Sequence, residues 1–180
     1  MFEELKNCTE YKIIKEFYGD KKAKRSRQPL IKHIDEGLKI MSDLNASDTA
    51  MKAYMLHPTI QSDDDFLNAI SDSNFLSDVS IEVLLLTTEY RKCANAYLCR
   101  DHTTDWSLDK IRTETNILCK EVAYMLIADK VQNQKDFIMY HSGTHENSDN
   151  LYKYFNNWLV VLSTWITNYD KTTDSSKIHR

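Results

Sequence analysis

Glycine and proline, the residues that let a chain reverse tightly, are almost absent: only Gly19, Gly37, Gly143, Pro29 and Pro58 occur in 180 residues. A sheet-rich fold needs many short turns, and those turns favour residues that accept positive φ or come with φ preset. The chain therefore reads as all-α. Its length suits one domain with a buried core of its own, expected over residues 1–170, with a mobile polar tail over 171–180.

The apolar spacing divides this domain into helices. Leu5, Ile13, Ile14 and Phe17 predict a helix from Phe2 to Tyr18 that breaks at Gly19-Asp20. Pro29 suits the first turn of the next helix, whose face carries Leu30, Ile31, Ile34, Leu38 and Met41. Asn45 to Asp48 predicts a turn and cap, followed by a strongly apolar helix from Ala50 to Leu56 that ends at His57-Pro58. Asp63 or Asp64 is the expected cap of a short helix through Ile70. Longer helices are expected over about 76–99, about 108–132 and about 151–165, with Asp105 or Ser107 capping the second and a loop from Tyr140 to Asn147.

Charge narrows the partners. A net charge of -4 offers no general attraction to nucleic-acid phosphates or to an anionic membrane. No apolar run approaches the roughly 20 residues of a membrane-spanning helix. The charged opening residues predict no signal peptide, and Cys8, Cys93, Cys99 and Cys119 form no CxxC pair, so reduced thiols in a cytoplasmic protein are expected. The one basic cluster, Lys21, Lys22, Lys24, Arg25 and Arg27, reads either as a solvated face or as a dock for a polyphosphate.

Three separated segments bear on that choice: Lys24-Arg25-Ser26-Arg27-Gln28-Pro29-Leu30-Ile31-Lys32-His33, Ala53-Tyr54-Met55-Leu56-His57-Pro58-Thr59-Ile60-Gln61-Ser62-Asp63, and Ile127-Ala128-Asp129-Lys130-Val131-Gln132-Asn133-Gln134-Lys135-Asp136. In order and rough separation they resemble the basic pair with its histidine, the His-Asp segment and the Ala-Asp-Lys helix of RelA/SpoT-type alarmone hydrolases, members of the HD superfamily. The resemblance covers about residues 15–165, and the Tyr154 to Trp158 run is similar to an aromatic pattern near the end of that hydrolase domain. It implies a single-domain HD-type helical bundle. It further implies a divalent metal, usually manganese, held by His33, His57 and Asp129, with substrate phosphates met by the basic loop, and with Lys130, Asn133 and Lys135 in a region that touches the nucleotide or orients the metal ligands.

Such a metal lowers the pKa of bound water and polarises a phosphoryl oxygen. The departures from the pattern touch that chemistry directly. Pro58 stands where the family has the ligand Asp, and Gln61-Ser62 stands where it has a Glu-Asp pair; neither Gln nor Ser is a general base near neutral pH. Asp35, Glu36, Glu89, Asp63, Asp64 and Asp65 are carboxylates that could rebuild the site, with Gln61, Asp63 and Asp64 the candidates for a catalytic role. His141 and His145 are a further pair at ligand spacing.

Three functions follow. The first is a protein that sequesters or senses a phosphorylated signal nucleotide without cutting it, as a phage-borne decoy would. The second is a divergent metal-dependent phosphohydrolase. The third is a helical interaction module working through its aromatic C-terminal helix. Self-association is compatible with each.

Overall fold

Ala50, Met51, Ala53, Tyr54, Met55 and Leu56 leave almost no polar face on the helix Asp48–Leu56, and a helix that is apolar all round must be enclosed by others. In a computed structural model of the chain, which describes residues 2–24, 26–98, 106–115, 119–144 and 148–175, that enclosure is the organising feature of the fold. The helices in chain order are α1 (Phe2–Leu5), α2 (Thr9–Tyr18), α3 (Ile31–Asp43), α4 (Asp48–Leu56), α5 (Asp63–Ser71), α6 (Ser73–Asp78), α7 (Ile81–Leu98), α8 (Leu108–Glu114), α9 (Lys120–Tyr140) and α10 (Ser148–Ser175), with a 3₁₀ turn, His57–Ile60, directly after α4. Helix α4 lies at the centre, against α2, α3, α7 and α9, while α10 closes over α9 and α8.

One continuous core runs through these elements, from Leu5 and Ile14 through Leu38, Met55 and Leu126 to Trp158 and Leu162. The fold is all-α and single-domain. Among the described residues the sole extended pairing is an isolated antiparallel bridge between Lys22 and Pro29, which folds the basic loop back on itself. No helix among them is long and apolar enough to cross a membrane.

Several boundaries differ from the sequence expectation, each for a local reason. The first expected helix is two, broken at Lys6 to Cys8. The helix expected from about 76 starts at Ile81, because Ser80 offers its hydroxyl to Val83 N at 3.4 Å and its carbonyl to Leu84 N at 3.1 Å. The stretch expected as one helix over about 108–132 is α8 and α9: the Thr115 hydroxyl turns back onto Ile111 O at 2.7 Å, and the chain re-enters a helix after the extended Cys119.

The caps also sort themselves. Ser107 caps α8 as expected, Asp105 lying outside the described residues, whereas α5 is capped by Ser62 in place of Asp63 or Asp64, its hydroxyl accepting from Asp65 N at 3.0 Å. A hydroxyl at that position satisfies one of the amides that the first turn leaves without a helical acceptor. Helix α9 continues to Tyr140, and α10 runs on to Ser175, through the first residues of the expected tail; residues 176–180 lie outside the described part.

Candidate metal centre

Two helix ends and one helix middle bring the polar motifs together. His33 sits in the first turn of α3, His57 follows the last residue of α4, and Asp129 lies midway along α9. Their ligand atoms all fall within 4.8 Å of one another, although the residues are far apart in the chain. His57 and Asp129 are buried, and the His33 side chain, 19% exposed, forms the cluster's contact with the surface.

Hydrogen bonds fix which ring nitrogen each histidine presents. His57 Nδ1 lies 2.6 Å from Tyr54 O, a carbonyl that can only accept, so Nδ1 carries the hydrogen and Nε2 keeps its lone pair. Burial first, and then the neighbouring His33, push the His57 pKa down to about 3, so the ring is neutral at physiological pH. His33 Nδ1 is 2.6 Å from Gln132 Oε1, and the Gln132 amide is itself oriented by donating from Nε2 to Asp136 Oδ2 at 2.9 Å. His33 Nε2 is thereby turned to Asp129 Oδ1, 3.5 Å away. The His57 ring thus keeps a lone pair on Nε2, and His33 presents its Nε2 on the side of the Asp129 carboxylate.

Asp129 is held as firmly. Its Oδ1 accepts from Asn133 Nδ2 at 2.8 Å and its Oδ2 from Lys130 Nζ at 3.1 Å. Burial favours the neutral acid, but the Lys130 charge, the two histidines and the Lys130 hydrogen bond outweigh it, so the Asp129 pKa is lowered. Lys130, itself 1% exposed, sits over the rings of Tyr154 and Trp158 at 5.6 and 5.4 Å, and pairing with Asp129 raises its pKa against the pull of burial. Such a pair stays ionised on both sides.

Two imidazole nitrogens and one carboxylate oxygen form a donor set suited to a divalent transition metal. A cation about 2.1 Å from each donor places the donors roughly 3 to 4.2 Å apart, a spacing this cluster reaches with side-chain shifts of less than about 1 Å. The supporting contacts to Tyr54, Gln132 and Asn133 are of the kind that aim metal ligands. The residues present fit the ion.

The other expected site residues are placed differently. Asp63 points outward and pairs with Arg91, and Asp64 is exposed; Asp35 accepts from Tyr11 at 2.7 Å, Glu36 pairs with Lys135 at 2.7 Å, and Glu89 lies by Cys119. None of these carboxylates joins the cluster, so the site is not rebuilt around Pro58. Lys130 is committed to Asp129 beneath two aromatic rings, and Asn133 to the same carboxylate; each orients Asp129, the second of the two roles expected for that region. Lys21, Lys22, Lys24 and Arg27 are exposed, and Arg25 and His145 lie outside the described residues. The basic loop leaves α2 at Tyr18, a buried residue whose hydroxyl pKa is raised by burial and then by Asp129, and re-enters the fold just before His33. Both of its ends thus abut the cluster.

Sequence reading left out Gln132 and Asp136 as supports of the site. The signal was there: Asp129, Gln132, Asn133 and Asp136 recur at helical spacing, a polar stripe along one face of a largely buried helix. Tyr54 was also more than core. Its hydroxyl lies 3.3 Å from His33 Nε2 and 3.5 Å from His33 O, so it keeps an acceptor when Nε2 is taken by a cation.

Tyr54 is seated over Gly37, where any β-carbon would overlap its ring and hydroxyl. Gly37→Ala is expected to lose stability, because overpacking costs about 1–3 kcal/mol while the gain in helix propensity is only about 1 kcal/mol. A lowered urea midpoint measures it. Compared with known proteins, the chain matches no family model, no curated protein and no solved structure.

Proposed function

We propose that this chain is an HD-type metal protein that binds a phosphorylated nucleotide and retains it, acting to sequester or sense it. The observation that carries the reading is the convergence of His33, His57 and Asp129, with both histidines fixed to present Nε2. A divalent ion there, with manganese the first candidate, would supply a Lewis acid for a phosphate oxygen. Lys21, Lys22, Lys24 and Arg27 are exposed on the loop whose two ends adjoin the cluster, where their charge favours a polyphosphate.

Retention, as opposed to cleavage, is supported by what surrounds the ligands. General-base catalysis needs a group within hydrogen-bond reach of the attacking water and ionised at working pH. Among the described residues the only carboxylate in the cluster is Asp129, and both of its oxygens already accept hydrogen bonds from Asn133 and Lys130. One observation favours an active phosphohydrolase instead: a set of three protein ligands leaves coordination positions open, as in catalytic metal sites.

Manganese titration of metal-stripped protein, followed by incubation with guanosine tetraphosphate and chromatography of the products, separates the two. Tight manganese binding, weakened by more than about tenfold in His57→Gln, with the nucleotide recovered intact, is the expected result. Manganese-dependent release of phosphate would establish the hydrolase, and a protein that takes up no metal would refute both.

A further inference from the structure

Tyr90 packs against the ligand cluster with a buried hydroxyl that has no role in the hydrogen bonds among His33, His57 and Asp129. Its side chain is fully buried on α7, and its ring lies against His57 with centroids 4.9 Å apart. The hydroxyl pKa is raised well above the ordinary value, by burial first and then by the charge of Asp129, by Tyr54 and Tyr154, and by hydrogen bonding toward Asp129. It nevertheless makes no hydrogen bond of normal geometry. The position is rigid, since the next residue, Arg91, fastens α7 to the 3₁₀ turn through Nε to Ile60 O at 2.6 Å.

A buried hydroxyl without a partner costs stability, and phenylalanine would fill the same space without that cost. The nearby protein acceptors are already engaged. Asp129 receives Asn133 and Lys130, and His33 receives Tyr54. The donor, beside the His57 ring, is therefore available to an oxygen that is not protein.

We infer that Tyr90 Oη donates to a non-protein oxygen, of water or of a phosphate group, held against the His33–His57–Asp129 cluster. The inference rests on the metal reading proposed above. It makes Tyr90 a binding residue of that site and partly replaces what the proline at position 58 takes away: a hydrogen bond from the protein to a bound oxygen, where an aspartate would have bound the metal itself.

The test is Tyr90→Phe, measured in two ways. Urea denaturation of the metal-free protein should show the variant as stable as the wild type or more so, because no native bond is lost. Titration with Co(II), read by visible absorption, should show affinity reduced by about tenfold and an altered spectrum, as loss of a supporting hydrogen bond does at metal sites. A loss seen with Co(II) alone assigns the oxygen to water; a loss that emerges only when inorganic phosphate is added assigns it to phosphate. A variant that is destabilised without metal yet binds Co(II) as the wild type does, with and without phosphate, would make Tyr90 a structural residue and overturn the inference. Wild-type protein that fails to bind Co(II) would overturn the metal reading itself, and the inference with it.

Discussion

Asp129→Ala is expected to lower the stability of the metal-free protein by about 3–5 kcal/mol, the range for removing one partner of a buried ion pair. The reason lies with Lys130. It is 1% exposed, and its ammonium is 3.1 Å from Asp129 Oδ2 with aromatic rings on the other side. Without the carboxylate that charge must either shed its proton or remain buried with only the weak attraction of Tyr154 and Trp158. Asn133 Nδ2 loses its acceptor at the same time. The double variant Asp129→Ala, Lys130→Met removes both charges and should recover most of the loss. Urea unfolding of the four proteins of this cycle gives the coupling. A single Asp129→Ala variant within about 1 kcal/mol of wild type would contradict the buried-pair description.

This pair shows where the sequence was informative and where it was not. The helical class followed from the scarcity of turn residues, and α4 followed from its nearly unbroken apolar run, since both are local properties. The convergence of His33, His57 and Asp129 was reached through resemblance to a family pattern; no local rule brings together three residues from α3, the end of α4 and α9. The geometry of the cluster agrees with that placement. For Lys130 the resemblance left two roles open, touching the nucleotide or orienting the metal ligands. Its actual place depends on Tyr154 and Trp158 arriving from α10, a packing event that nothing near position 130 signals. The breaks before Ile81 and after Thr115 escaped for a related reason. Apolar periodicity runs through both, and the hydroxyls of Ser80 and Thr115, bonded to neighbouring backbone groups, sit at the helix boundaries without a signal in the apolar pattern.

The metal-free protein is expected to lose stability steeply as pH falls from about 6.5 towards 3, and His57 should account for a measurable share. In the folded chain its pKa is depressed to about 3, by burial and then by His33, with Asp129 opposing and Lys130 reinforcing the shift. An unfolded histidine takes up a proton near pH 6.5. Between those values the unfolded state binds the extra proton, so each unit of acidification favours unfolding by about 1.4 kcal/mol from this residue alone. Above pH 6.5 both states are neutral at His57 and the effect vanishes. The lowered pKa of Asp129 adds a loss of the same sign at more acid pH, below its ordinary value of 3.8. His57→Gln removes the imidazole while leaving Asp129 and Lys130 in place, so its urea midpoint should fall less steeply than that of the wild type between pH 6.5 and 4. Parallel slopes for the two proteins across that interval would mean that His57 is already protonated in the fold, and a protonated ring would have no lone pair to offer a cation.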